Sequence, residues 1–408
     1  MFKQAFLKLN QRFVARRAIP LTFIFLLVVF YDEFVYAVGY SVLPSLRADL
    51  GLSYVQIGLL LGLPGVVNTL IEPVLMLLGD TPLRKVLVLG GGMAMALAAF
   101  LVAGAQAFPL LLLAEILSFP ASGAFVTLSQ ATLMDLHPGR EGPMMARWSL
   151  SGSLANFVAP LAMAGGFALG LGWRWAYLCL GVWGGLLAWA VAKRPFPALM
   201  RSEQAQPGGT PGAAAVLGEL LRGLWDALRN PSLLRWIVLL DLSNLLLDIF
   251  TGYAALYFTD VAGLGETQVA LVLGLMMLGG LAADAIVIPL LEKFNGRLIV
   301  RLSAAVVIPL YVAFLLVPWP SAKIVLVLLV KLCTLGWYSV MEGESFAAVP
   351  GRSGTVKAIG SLSGLLVGAL IGFLGWFAEQ AGLQAMMWLL LAGPLALLLF
   401  VPRPVVES

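Results

Sequence analysis

Long apolar runs fill this chain, and its polar residues gather in short interruptions. Twelve runs are separable, at roughly 19–46, 54–79, 84–106, 108–136, 143–170, 174–192, 233–260, 266–292, 297–318, 321–345, 353–380 and 383–401. Each approaches or exceeds the roughly 20 residues that a helix needs to cross bilayer hydrocarbon. The runs do not alternate in polarity as barrel strands do, and an open sheet cannot satisfy its backbone in lipid. The pattern predicts an all-α polytopic membrane protein with twelve transmembrane helices, numbered here as spans 1 to 12.

Composition agrees. Of the 408 residues, 61% are apolar and 11% charged, with a mean hydropathy of +0.96. Soluble domains hold about 45–50% apolar and about 25% charged residues, so an ordinary soluble enzyme is excluded. The net charge of +4 is informative only through its placement. With the N-terminus inside, 21 of the 25 basic residues fall on the inner side; Arg47, Arg174 and Lys323 fall in outer loops, and Lys331 lies within a span. That bias predicts a multi-pass protein of the cell membrane with both termini cytoplasmic. It gives no reason to expect nucleic acid.

One connection is long. Residues 193–232 hold a Pro/Gly-rich stretch and then Leu217, Leu220, Leu221, Leu224 and Leu228 at helical spacing, the pattern of a helix lying on the inner membrane surface. This linker predicts two domains, a six-helix bundle over 1–192 and another over 233–408. Span 1 follows a basic N-terminus but carries Asp32 and Glu33, and it reads as a retained helix. Cys179 and Cys333 lie inside apolar runs and read as small core residues.

The two halves repeat. Shifted by 212 residues, Pro138–Gly152 falls on Pro350–Gly364 with nine of fifteen positions identical. The same offset places Gln56 on Gln268, Gly62 on Gly274, Glu72 on Asp284, Asp80 on Glu292 and Lys85 on Arg297. Six helices followed by six in the same orientation imply a parallel repeat about an axis along the membrane normal.

Charges inside spans are costly, about 2.5–3.5 kcal/mol at a helix centre on the insertion scale, so they should face the bundle interior or a wet cavity. They form stripes. Span 7 carries Asp241, Asn244, Asp248 and Thr251 on one helical face; span 1 carries Asp32, Tyr36 and Tyr40, with Glu33 about 100° away. Span 10 carries Lys331, Thr334, Tyr338 and Glu342, and span 4 carries Glu115, Ser118 and Ser122. Glu72 in span 2 and its repeat mate Asp284 in span 8 are candidate paired gating groups. A carboxyl group kept from water resists charging, so it can bind and release a proton near neutral pH. Asp32, Asp248, Glu72, Asp284 and Glu33 are therefore the proton-coupling candidates. Asp32, Tyr36, Glu115, Asp241, Asn244, Asp248, Lys331 and Tyr338 are the substrate-binding candidates, with Lys331 able to neutralise one carboxylate. The chain has a single histidine, His137, and neither a Walker loop nor a Gly-x-Ser-x-Gly elbow. No metal or cofactor is expected.

The twelve spans, the six-plus-six repeat and the central linker resemble the major facilitator superfamily over essentially the whole chain. The loop after span 2 keeps Asp80, Arg84 and Lys85 of the family's Gly-x-x-x-Asp-Arg-x-Gly-Arg-Arg pattern, whereas Met76, Thr81 and Leu83 depart from it. The resemblance implies a central cavity between the two bundles, lined by spans 1, 4, 7 and 10. It also implies that Asp80, Arg84 and Lys85 help hold the halves together. The matched Arg140 and Arg352 join them as conformational candidates. The expected protein is a secondary transporter working by alternating access, an antiporter exporting a hydrophobic, amphipathic or cationic small molecule against protons. Its expected partners are that substrate, protons and membrane lipids, and it is expected to act as a monomer. Proton-driven uptake of a small polar solute, lipid flipping and an intramembrane enzyme are the alternatives.

Overall fold

A computed structural model describes residues 21–79, 83–137, 141–194, 196, 229–291, 293–348 and 353–403. Most of the 193–232 linker, together with Asp80, Arg140 and Arg352, lies outside them.

The described chain is helical from end to end, and the helices follow the apolar runs. The first half consists of α1 (Leu21–Leu50), α2 (Tyr54–Gly79), α3 (Arg84–Ala103), α4 (Phe108–Ser122), α5 (Leu128–Asp135), α6 (Glu141–Ala168) and α7 (Trp173–Ala192). The second consists of α8 (Pro231–Asn244), α9 (Phe250–Asp260), α10 (Glu266–Leu291), α11 (Gly296–Leu316), α12 (Pro320–Cys333), α13 (Trp337–Ala347), α14 (Ser353–Ala381), α15 (Leu383–Leu389) and α16 (Ala392–Phe400). Span 4 is α4 and α5 joined by a π-turn at Gly123–Thr127; span 7 is α8 and α9 joined by a π-turn at Leu245–Ile249. Spans 10 and 12 are α12–α13 and α15–α16.

Eleven described helices are long and apolar enough to cross a membrane. The run from Pro231 to Asp260 is helical throughout but carries Arg235, Asp241, Asp248 and Asp260.

Within the first half, α3 packs on α7 and α4, and α1 packs on α6. Within the second, α11 packs on α12 and α16, and α8 on α13 and α16. The halves meet along α2–α14, α6–α10 and α1–α9. Glycine allows the closest of these approaches. A Cβ placed on Gly375 of α14 would stand 2.7 Å from the Gly58 Cα and 2.7 Å from the Tyr54 carbonyl of α2. Small residues at such crossings let two backbones touch. The break between α12 and α13 also needs glycine, because Gly336 adopts φ +67°, where a side chain would clash.

At the end of the bundle holding the loop 51–53, polar contacts tie the halves together. Arg47 pairs with Asp260 at 2.5 Å and stacks over the Tyr54 ring. The Tyr54 hydroxyl donates to the same Asp260 carboxylate at 2.7 Å, and the Tyr54 amide donates to Glu379 of α14 at 2.6 Å. Arg174 pairs with Asp49 inside the first half. Lys323, expected in a loop, is instead buried in the first turn of α12. Its Nζ donates to the Tyr257 hydroxyl at 2.7 Å and the Phe314 carbonyl at 2.8 Å, so an early helix start draws it into the bundle.

Candidate functional site

A cavity of about 520 Å³ lies between the halves. Asp32, Glu33, Tyr36 and Tyr40 of α1 and Ser153 and Asn156 of α6 form one wall; Asp248, Thr251, Met276 of α10 and Lys331 of α12 are on the other. Each half thus contributes acid to a shared space: Asp32 and Glu33 from the first, Asp248 from the second.

The carboxyl groups are held differently. Asp32 is buried and accepts a hydrogen bond from the Ser122 hydroxyl at 2.7 Å, one residue before the span-4 π-turn. Glu33 accepts from Asn156 Nδ2 at 2.8 Å, and its stem packs over Gly152. Asp248 is exposed to the cavity and makes no hydrogen bond among the described residues.

Lys331 does not form a direct pair with a carboxylate in the described structure. Its buried Nζ donates to the Leu247 carbonyl at 2.8 Å, the Leu246 carbonyl at 3.3 Å and Thr251 Oγ1 at 2.7 Å. Leu246 and Leu247 belong to the span-7 π-turn, whose wider winding disturbs the regular ladder of backbone bonds. Lys331 also sits in the last turn of α12, where a cation is favoured by the helix dipole. The amine therefore braces span 7 through its backbone, and Asp248 beside it stays open to the cavity.

The same π-turn divides the span-7 stripe. It holds one more residue than the α-turn it replaces, which rotates the following residues by about 100° relative to a continuous helix. Asp248 and Thr251 line the cavity. Asp241 instead accepts a hydrogen bond from Ser363 of α14 at 3.1 Å, and Asn244 is not among the lining residues. Glu72 is also away from the cavity, accepting from Asn68 Nδ2 at 3.0 Å. Tyr338 is exposed outside the cavity lining. Asp284 lies in α10, its side chain outside the described set. Glu115 lines a separate small pocket that adjoins the cavity at Tyr36 and Tyr40.

Of the described loop charges, Lys85 donates to the Ala192 and Arg194 carbonyls at 3.3 and 3.0 Å, capping α7 of its own half. Arg84 Nε donates to the Gly79 carbonyl at 2.6 Å. The repeat mate of Lys85, Arg297, makes a two-pronged pair with Glu344 at 2.6 and 2.7 Å, likewise inside one half.

Several residues of the site escape the periodicity argument. Asn156 is a lone amide in span 5, and its only sequence signal is polarity in an apolar run. Ser153 has the same weak signal. The Arg47–Asp260 contact joins residues 213 positions apart, and nothing local in the sequence pairs them.

Known proteins share this architecture. The Major Facilitator Superfamily profile matches residues 22–354. A chloramphenicol resistance protein of Streptomyces lividans is 30% identical over 285 residues, covering 69% of this chain and 67% of that protein. Among solved structures, a mutant of the nucleoside transporter NupG superposes with a TM-score of 0.75 at 12% identity, covering 93% of this chain and 98% of that one. A bacterial homologue of the human lysosomal transporter Spinster, inward-facing and occupied, superposes with a TM-score of 0.70 at 16% identity, covering 93% of each chain. At these identities the superpositions establish the fold alone.

Proposed function

The chain belongs to the major facilitator superfamily and is a multi-pass membrane transporter of small molecules, and from that premise we propose that it is a proton-coupled exporter of a hydrophobic, amphipathic or cationic compound. The observation that carries this reading is the meeting of Asp32 and Glu33 from one half with Asp248 from the other in a single cavity. Carboxyl groups on both walls can exchange protons for substrate as the halves rock. Lys331, engaged with the span-7 backbone, leaves Asp248 available for that exchange.

Further support for export comes from the relative associated with chloramphenicol resistance. The cavity's mixed lining, with Tyr36, Tyr40, Met276 and Met277 beside the acids, suits an amphipathic molecule. The charge bias supports an orientation with both termini in the cytoplasm and the Arg47–Asp260 contact at the outer face. In this reading Asp80, Arg84, Lys85, Arg140 and Arg352 influence the rearrangement at the inner face, and the protein acts as a monomer in the cell membrane.

Inside-out membrane vesicles test the proposal. With an acid interior, vesicles holding the protein should accumulate chloramphenicol, and a protonophore should abolish the accumulation. Accumulation only in right-side-out vesicles with an acid exterior would favour uptake and overturn export.

A further inference from the structure

Beside the central cavity lies a second space, of about 80 Å³, enclosed by α1, α2, α4 and α7. A single water needs about 10–15 Å³ of probe-occupied volume, so this pocket holds several waters or one compact polar head, and no whole drug. Its walls are mainly aromatic and aliphatic, with Tyr36 and Tyr40 from α1, Leu60 from α2, Phe119 from α4 and Tyr177 from α7, and Ser118 of α4 adds one hydroxyl. One ionisable carboxyl group enters it, that of Glu115. Among the described residues Glu115 makes no hydrogen bond or ion pair, a state it shares with Asp248 of the central cavity, whereas Asp32, Glu33 and Asp241 each have a hydrogen-bond donor.

The surroundings are built for contact. The Tyr36 and Phe119 rings meet edge to face at 5.5 Å. A Cβ on Gly39 would lie 3.5 Å from the Tyr177 hydroxyl, so the absence of a side chain there leaves space beside that ring. Tyr36 and Tyr40 line both spaces and form the partition between them. A ligand reaching from the central cavity into the smaller pocket would therefore run beside these rings.

An unpaired carboxylate within a ring of aromatic side chains is the arrangement that recognises an alkylammonium group. The acid supplies the counter-charge, and the ring faces attract the cation without requiring hydrogen-bond donors from it. We propose that the Glu115 pocket is a subsite for the ammonium head of an organic cation whose remaining body lies in the central cavity. This deepens the proposed function by naming the cation's chemistry and assigning it to a place apart from Asp32 and Asp248. It rests on the cavity being the transport site.

Equilibrium binding to the purified protein tests it, with choline and its uncharged isostere 3,3-dimethylbutanol as probes in calorimetry. Wild type should bind choline at least about tenfold more tightly than the isostere, and Glu115→Gln should remove that preference. Tyr177→Leu, which keeps the acid and removes one ring, should weaken choline severalfold. Asp32→Asn should weaken it much less than Glu115→Gln. Equal binding of choline and the isostere by wild type would overturn the subsite. So would a larger loss in Asp32→Asn than in Glu115→Gln, which would place the cation in the central cavity. The measurement needs no proton gradient, so failure of proton-coupled export leaves its outcome readable, and the reverse also holds.

Discussion

Asp248→Asn is expected to reduce proton-driven accumulation in inside-out vesicles to the level of vesicles without the protein, and Asp32→Asn to do the same, with both variants folded. The amide cannot take up and release a proton in the acid's range, but it matches the acid in shape. In Asp32→Asn the Oδ1 that accepts from Ser122 is retained. In Asp248→Asn no hydrogen bond is lost, because that side chain makes none among the described residues; its charge faces the cavity and the neighbouring Lys331. Neutralising a charge at membrane depth removes a cost of up to about 2.5–3.5 kcal/mol, so Asp32→Asn should unfold no earlier than wild type; in Asp248→Asn the loss of the negative charge facing buried Lys331 offsets part of that gain. Flux and melting temperature measured on one preparation separate lost coupling from lost folding. Full pH-driven flux by both variants would remove these acids from the mechanism.

The second large effect concerns movement. Gly375→Leu should prevent α14 from closing on α2 at the face held by Arg47 and Asp260. The added Cβ would meet the Gly58 Cα and the Tyr54 carbonyl, each at 2.7 Å. Both are backbone atoms, and no change of rotamer moves them. Overpacking of this kind costs about 1–3 kcal/mol, which shifts an equilibrium between closed and open states about 5- to 150-fold. With Cys179 and Cys333 replaced by serine, Ala37→Cys places a thiol on the cavity wall. A membrane-impermeant maleimide added at that face should label it faster when Gly375→Leu is also present. Equal labelling rates would show that the α2–α14 contact does not control access.

The sequence and the structure agree most closely where one physical force dominates. Apolar run length is set by bilayer thickness, so the helices appear near their expected places. The acids of spans 1 and 7 were legible because charge at lipid depth is rare and expensive. Side-chain directions were less legible. A strict 3.6-residue period places Asp241 and Asn244 with Asp248, but the π-turn at Leu245–Ile249 changes the register, and Asp241 bonds to Ser363 instead. Glu33, read as pointing away from Asp32, also lines the cavity, since a wide cavity admits more than one helix face. Lys331 stood out as the lone amine among acids, and charge counting suggested a carboxylate partner. Its backbone partners exist only because of the irregular turn, which no residue type in that stretch announces. Asn156 and the Arg47–Asp260 contact depend on tertiary placement and have no local signature.

Proton release on substrate binding reads the role of the cavity acids most directly. On the proposed function, chloramphenicol added to wild-type protein in weakly buffered detergent solution near neutral pH, with a pH-sensitive dye, should acidify the solution as it displaces protons from Asp32 and Asp248. The Asp32→Asn/Asp248→Asn double variant should show no such release. Binding by wild type with no proton released, or the same release from the double variant, would contradict proton exchange at these two residues.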